Sequence, residues 1–138
     1  MQYLDSNVFI HAALNDQEEG NAARQIFSKL ISRREQAVTS TLTLDEVAWK
    51  IKKHQGKMEM LNICRNFLAN PAIRWVAATP EIMKKSLDLM EKLDLDPRDA
   101  IHAATCQIQG LDEMISDDSG FDRLKEMNIK RISLTKSD

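Results

Sequence analysis

The spacing of apolar residues changes repeatedly along the chain, and each change marks a predicted element. Residues 2–5 form a short strand-like run, and residues 6–14 continue it as a helix. From residue 21 to 34, Ala22, Ile26, Phe27, Leu30 and Ile31 fall on one helical face. A strand at 36–39 follows, after which Thr41 or Thr43 can cap a helix striped by Leu44, Val47, Ala48 and Ile51. Beyond Gly56 a second stripe, Met60, Leu61, Ile63, Cys64, Phe67 and Leu68, runs to the break at Asn70-Pro71, so these two segments read as a helical pair. Residues 73–78 read as a buried strand. Thr79-Pro80 then supplies an N-cap with Pro at the first helical position for a helix reaching Leu93. Asp96-Pro97 repeats that signal for a helix that turns Ile101, Ala104, Thr105 and Ile108 inward and ends at Gly110. Strands at 113–116 and 130–134 enclose a short helix at 121–127.

Strands alternating with helices imply an α/β fold: one domain with a central, twisted, parallel sheet of about five strands, covered by helices on both faces in three layers. The 138 residues can bury a core without disulfides or structural metal, and the four Gly and three Pro fall at boundaries rather than in a linker. Hydrophobic residues make up 43% and charged residues 29%, and no apolar run approaches the ~20 residues of a membrane helix. The opening Met1-Gln2-Tyr3-Leu4-Asp5 lacks the order of a signal peptide, so the expected location is the cytoplasm, with no membrane partner. Cys64 and Cys106 lie far apart on apolar helical faces and read as buried thiols. A net charge of -2 provides no general attraction to nucleic acid, so phosphate binding would need a local basic patch or bound cations.

Four acidic positions change this picture. Asp5 closes the first predicted strand, Asp117 and Asp118 follow the fourth, Asp99 sits in the first turn of the helix after Asp96-Pro97, and Glu46 lies in the first turns of the helix after the second strand. In an open parallel sheet the strands end, and the returning helices begin, at the same edge, so all four can meet there. Each has a local explanation as well. Asp5-Ser6-Asn7 can cap a helix, Asp99 has the capping-box offset from Asp96, Glu46 beside Asp45 can be a solvated helical acid, and Asp117-Asp118-Ser119-Gly120 has the composition of a turn. Independent caps need not all be acidic, nor gather at one edge. Converging carboxylates repel one another unless a divalent cation sits among them.

Asp5-Ser6-Asn7 after the opening strand, Glu46 in a Thr-rich helix start, Pro97-Arg98-Asp99-Ala100-Ile101-His102-Ala103-Ala104, and Ser116-Asp117-Asp118 leading to Phe121-Asp122 resemble the PIN domain family, most closely the VapC toxin ribonucleases. The resemblance spans nearly the whole chain and implies that these acids bind Mg²⁺ or Mn²⁺ and that the domain cleaves RNA. Aligned on Ser116 and Phe121, Asp118 takes the fourth acidic position and Asp117 a variable one. Gly120 stands where relatives often carry a polar or acidic residue, which makes Asp122 an alternative from farther out. The resemblance also implies a homodimer and a small antitoxin protein covering the acidic crevice.

Phosphodiester hydrolysis needs an attacking hydroxide, stabilisation of charge on the phosphoryl oxygens and relief for the leaving oxygen, and hard oxygen-bound cations supply all three. Asp5 and Asp99 are the expected direct ligands, with Asp118 direct or through water, while Glu46 orients a water or helps hold a second ion. Ser6 and Asn7 can position Asp5 or a phosphate, and Ser116 can hydrogen-bond a ligand acid. His102 reads as a packing or supporting residue rather than a general base. Arg98 can pair with the scissile phosphate, and Lys50, Lys52, Lys53 and Lys57 can guide RNA toward the acids or form a solvated face. Trp49 and Trp75 are expected in the core.

The leading function is therefore a metal-dependent endoribonuclease of toxin type. A PIN ribonuclease of RNA processing or decay would use the same acids, and a non-cleaving RNA-binding or regulatory domain would not need them all. A phosphatase with an Asp nucleophile commonly carries a second Asp two residues on, where this chain has Asn7.

Overall fold

Every strand pairing in the computed structural model, which describes residues 1–135, is parallel. Strands β1 (Tyr3–Leu4), β2 (Ala37–Ser40), β3 (Ile73–Val76), β4 (Glu113–Ile115) and β5 (Lys130–Ile132) lie in the order β3-β2-β1-β4-β5. Helices α1 (Ser6–Leu14) and α2 (Glu18–Ser32) connect β1 to β2, and α3 (Thr41–Gln55) and α4 (Lys57–Ala69) connect β2 to β3. Helices α5 (Pro80–Leu93) and α6 (Pro97–Ile108) return the chain to β4, and a 3₁₀ helix (Ser119–Met127) joins β4 to β5. The expected three-layer parallel α/β architecture is what the chain adopts.

Alternation along the strands divides the core in two. Tyr3, Val38 and Met114 face α5, α6 and the 3₁₀ helix, with Leu89, Ala103, Phe121 and Leu124. Leu4, Ala37, Ile73 and Ile115 face α1 to α4, with Phe9, Phe27, Val47 and Ile51. Phe9 gathers Phe27, Phe67 and Trp75 at ring separations of 5.2, 5.1 and 5.7 Å, tying α1, α2 and α4 to β3. Such aromatic pairs are worth about 0.5–1.5 kcal/mol each beyond their buried area. Where α1 turns into α2, a Cβ on Gly20 would stand 1.7 Å from the Asn15 carbonyl oxygen, so only glycine allows that close approach.

Several local expectations are corrected. Helix α2 begins at Glu18 rather than at residue 21, its first turn carrying Glu18 and Glu19 where the helix dipole favours acids. Ser40, not Thr41 or Thr43, caps α3 by accepting from the Leu42 amide; Thr41 accepts from the Ala78 amide instead, and buried Thr43 bonds Thr39 at 2.6 Å. Thr79 caps α5 as expected, but the Asp96 side chain makes no capping bond. The segment at 121–127 is 3₁₀ and starts at Ser119. Ile31, Leu68 and Ile108 are exposed because a helix lying on one side of a sheet buries only the stripe facing it. Trp49 is not in the core: it is 67% exposed, on the side of α3 away from buried Val47 and Ile51. Cys64 and Cys106 are both buried and free, as expected. No helix among the described residues is long and apolar enough to cross a membrane.

Strand order places the site. Connections leave β1 toward β2 and β3 on one side, while β4 and β5 lie on the other, so the order reverses between β1 and β4. The carboxyl ends of two such strands open a crevice where open α/β sheets bind ligands.

Candidate active site

Asp5 immediately follows β1, and its amide bonds the Ile115 carbonyl at 3.1 Å, which locks its backbone to the end of β4. Its side chain is buried. Oδ1 accepts from the Ser6 amide at 2.8 Å, capping α1, and Oδ2 accepts from the Ser116 hydroxyl at 2.7 Å. The capping and site roles of Asp5 are therefore compatible, because a carboxylate has about four acceptor positions and these bonds use two. The same Ser116 oxygen accepts from Asn7 Nδ2 at 3.2 Å and from the Asp118 amide at 3.0 Å. One hydroxyl at the end of β4 thus ties together the start of α1 and the turn bearing Asp118.

Glu46 arrives from α3, in the opposite layer from α6, yet its Oε1 lies 2.6 Å from His102 Nε2. His102 is one helical turn beyond Asp99 and 1% exposed, and its Nε2 also lies 3.6 Å from Asp5 Oδ1. Its other nitrogen, Nδ1, meets the Tyr3 hydroxyl at 2.6 Å. Sequence reasoning placed His102 as a supporting residue; its link to Tyr3 was not anticipated, since a buried tyrosine on a strand carries no signal of its partner.

Asp99 and Asp118 border one shallow hollow of about 330 Å³, shared with Asp94, Leu95, Asp96, Gly120 and Arg123. Asp118 Oδ1 also accepts from the Gly120 amide at 2.8 Å, opening the 3₁₀ helix. A Cβ on residue 120 would lie 3.0 Å from that oxygen, so a larger residue there would make the carboxylate give way by a few tenths of an ångström. Asp117 turns the other way: it pairs with His11 at 3.3 Å and accepts from the Leu134 amide. Asp122 is engaged by Arg131 at 2.7 Å and is not among the residues bordering the acidic hollow. Arg98 is exposed beside Asp99, and Lys50, Lys52 and Lys53 are exposed on α3 beyond Glu46. Arg123, which donates to the Asp94 carbonyl at 2.7 Å and lines the acidic hollow, was missed; only tertiary packing brings it there. The larger cleft between the 3₁₀ helix and β5, about 560 Å³, holds Lys125, Lys130 and the Asp122–Arg131 pair, but no cluster of acids.

Two of the acids, Asp5 and Asp99, hold a proton more tightly than an ordinary carboxylate, burial being the largest cause for each. Burial pushes Asp5 up from the ordinary carboxylate value, opposed by His102, Ser116 and Ser6. Burial, then the negative charges of Asp118 and Asp5, push Asp99 up to about 6. Burial works against a charged His102, but its hydrogen bond to Glu46 and the charges of Asp5, Glu46 and Asp99 outweigh that, and its pKa is raised. No Lys or Arg side chain pairs with Asp5, Glu46, Asp99 or Asp118 among the described residues.

Among the described residues, no group of three His, Cys, Asp or Glu side chains is close enough to form a ready-made metal cage. An all-oxygen donor set spread over Asp5, Asp99 and Asp118 instead suits a hard cation that keeps much of its own water and takes only one or two carboxylates directly, as Mg²⁺ does. Two features fit such an ion: Asp99 and Asp118 share one hollow with no ion-pair partner for either among the described residues, and Asn7 Oδ1 is buried beside the site with no hydrogen-bond partner.

The sequence matches the PIN domain family model over residues 2–127. No curated protein matches it significantly. Among solved structures, the Mycobacterium tuberculosis VapC20 toxin, described as cleaving the sarcin-ricin loop, superposes with a TM-score of 0.75 at 14% identity, covering 88% of this chain and 93% of that one. A toxin–antitoxin complex from Klebsiella pneumoniae gives a TM-score of 0.70 at 22% identity over 99% of this chain and 100% of that one. VapBC2 from Rickettsia felis, bound to a promoter DNA fragment, gives 0.75 at 14% identity over 96% and 98%.

Proposed function

Since this chain belongs to the PIN domain family, we propose that it is a Mg²⁺- or Mn²⁺-dependent endoribonuclease, acting in the cytoplasm as the toxin of a type II toxin–antitoxin pair. The observation that carries this reading is the gathering of Asp5, Glu46, Asp99 and Asp118 around buried His102 at the β1/β4 reversal, with no Lys or Arg side chain paired to them among the described residues. Asp5 and Asp99 would hold the cation, and Asp118 would hold it directly or through water. When bound, the cation acidifies the attacking water and offsets charge on the phosphoryl and leaving oxygens. The protein does the positioning. Ser116 fixes one Asp5 oxygen, Asn7 supports Ser116, and the Glu46 oxygen not bonded to His102 orients the attacking water. Arg98 and Arg123 flank Asp99 and offer charge to the phosphate, while Lys50, Lys52 and Lys53 hold the flanking RNA backbone.

The toxin assignment is supported by similar structures that are toxins or toxin–antitoxin complexes. It implies a small antitoxin that covers the acidic crevice, and a homodimer. Purified protein stripped of metal should leave an RNA panel intact and cut it when Mg²⁺ or Mn²⁺ is restored. Cleavage that persists in chelator, or none with either ion, would sink the reading. Growth arrest on expression, relieved by the product of the adjacent gene, tests the toxin role separately.

A further inference from the structure

Tyr3, His102 and Glu46 form an unbroken chain of two 2.6 Å hydrogen bonds running from the central strand, through α6, to a side chain of α3. Tyr3 is fully buried on β1, and its ring meets the imidazole edge-on at a centroid distance of 5.7 Å. Carboxylate oxygens can only accept, so Nε2, which faces both Glu46 and Asp5, carries a hydrogen whichever charge state the ring adopts. Both imidazole nitrogens are therefore committed. A histidine serving packing alone would need no such pairing with a site acid.

The consequence lies with Glu46. Its side chain has three rotatable bonds and is partly exposed, so without a partner it would sample several orientations. Nε2 captures Oε1, and the Tyr3 hydroxyl prevents the ring that makes this bond from turning. We propose that Tyr3 and His102 are positioning residues that set the orientation of Glu46 from within the core, leaving its second oxygen aimed for the reaction. This rests on the nuclease reading above. Supporting hydrogen bonds of this kind typically change activity by about 10–100-fold when removed.

Two measurements test it. In metal-free protein, NMR of the histidine ring nitrogens should show a protected Nε2–H of His102 that shifts in Glu46→Gln, and an Nδ1 signal that shifts in Tyr3→Phe. In RNA cleavage, Tyr3→Phe and His102→Leu should lower kcat by about 10–100-fold with KM little changed. Neither should lower it much further in a Glu46→Gln background, and His102→Gln, which keeps an N–H donor, should recover part of the loss. Tyr3→Phe removes one oxygen without changing shape, so the outcome does not depend on the His102 variants folding. Ring signals indifferent to Glu46→Gln, or losses that multiply with that of Glu46→Gln, would overturn the inference. An inactive wild type defeats the nuclease reading and the catalytic half of this one with it. An active wild type whose Tyr3→Phe form keeps its kcat defeats this inference alone.

Discussion

The Ser116 hydroxyl donates to Asp5 at 2.7 Å although the two residues stand 111 positions apart in sequence. Because the same oxygen accepts from Asn7 and from the Asp118 amide, it couples the two strand ends that bound the crevice. Ser116→Ala should cost about 1–3 kcal/mol of stability, by leaving buried partners unpaired, and about 10–100-fold in activity. Thermal melts and cleavage rates would check both; a variant with wild-type kcat would show that Asp5 needs no support.

Asp99 has its pKa raised from 3.8 to about 6. Between those values the folded state holds a proton that the unfolded state has released, so metal-free stability falls as pH rises through that window. Asp99→Asn cannot ionise. It should melt higher than wild type without metal, by a margin absent below about pH 4, growing to about pH 6 and level beyond. It should also lose cleavage and Mn²⁺-induced stabilisation. A variant that melts lower at neutral pH and still gains from Mn²⁺ would assign Asp99 a purely structural role.

Gly120→Ala would place a Cβ 3.0 Å from Asp118 Oδ1. Either that carboxylate rotates off its own turn or the turn shifts. The expected result is a several-fold weaker Mn²⁺ response in thermal melts, with metal-free stability changed by less than about 1 kcal/mol. An unchanged Mn²⁺ titration would remove Asp118 from the ion's surroundings.

Replacing Lys50, Lys52 and Lys53 together with Ala should raise KM for RNA and leave kcat near wild type, since these side chains are exposed and lie beyond Glu46 on α3. If all three contact phosphates, the slope of log affinity against log salt should fall by about 2. Binding measured across a salt series would show it, and an unchanged slope would mean the lysines only solvate the helix.

The periods of the hydrophobic pattern were enough to read an alternating α/β chain, and Thr79-Pro80 announced its helix because capping is a short-range interaction. Trp49 and Ile108 were misread for the opposite reason: apolar residues on a helix do not say which shoulder faces the sheet. Strand order is equally invisible to local patterning, since any right-handed parallel arrangement satisfies the same alternation.

By itself, the sequence determined the type and approximate limits of the elements, the buried thiols, and the fact that acids stand where strands end and helices begin. These follow from neighbours within a few residues. Only the tertiary structure set β4 beside β1, separated Asp118 from Asp117 and Asp122, brought Arg123 to the acidic rim, and joined Tyr3 to Glu46 through His102. Those relations depend on how two helical layers close over the sheet, a global packing choice that no short stretch of chain encodes.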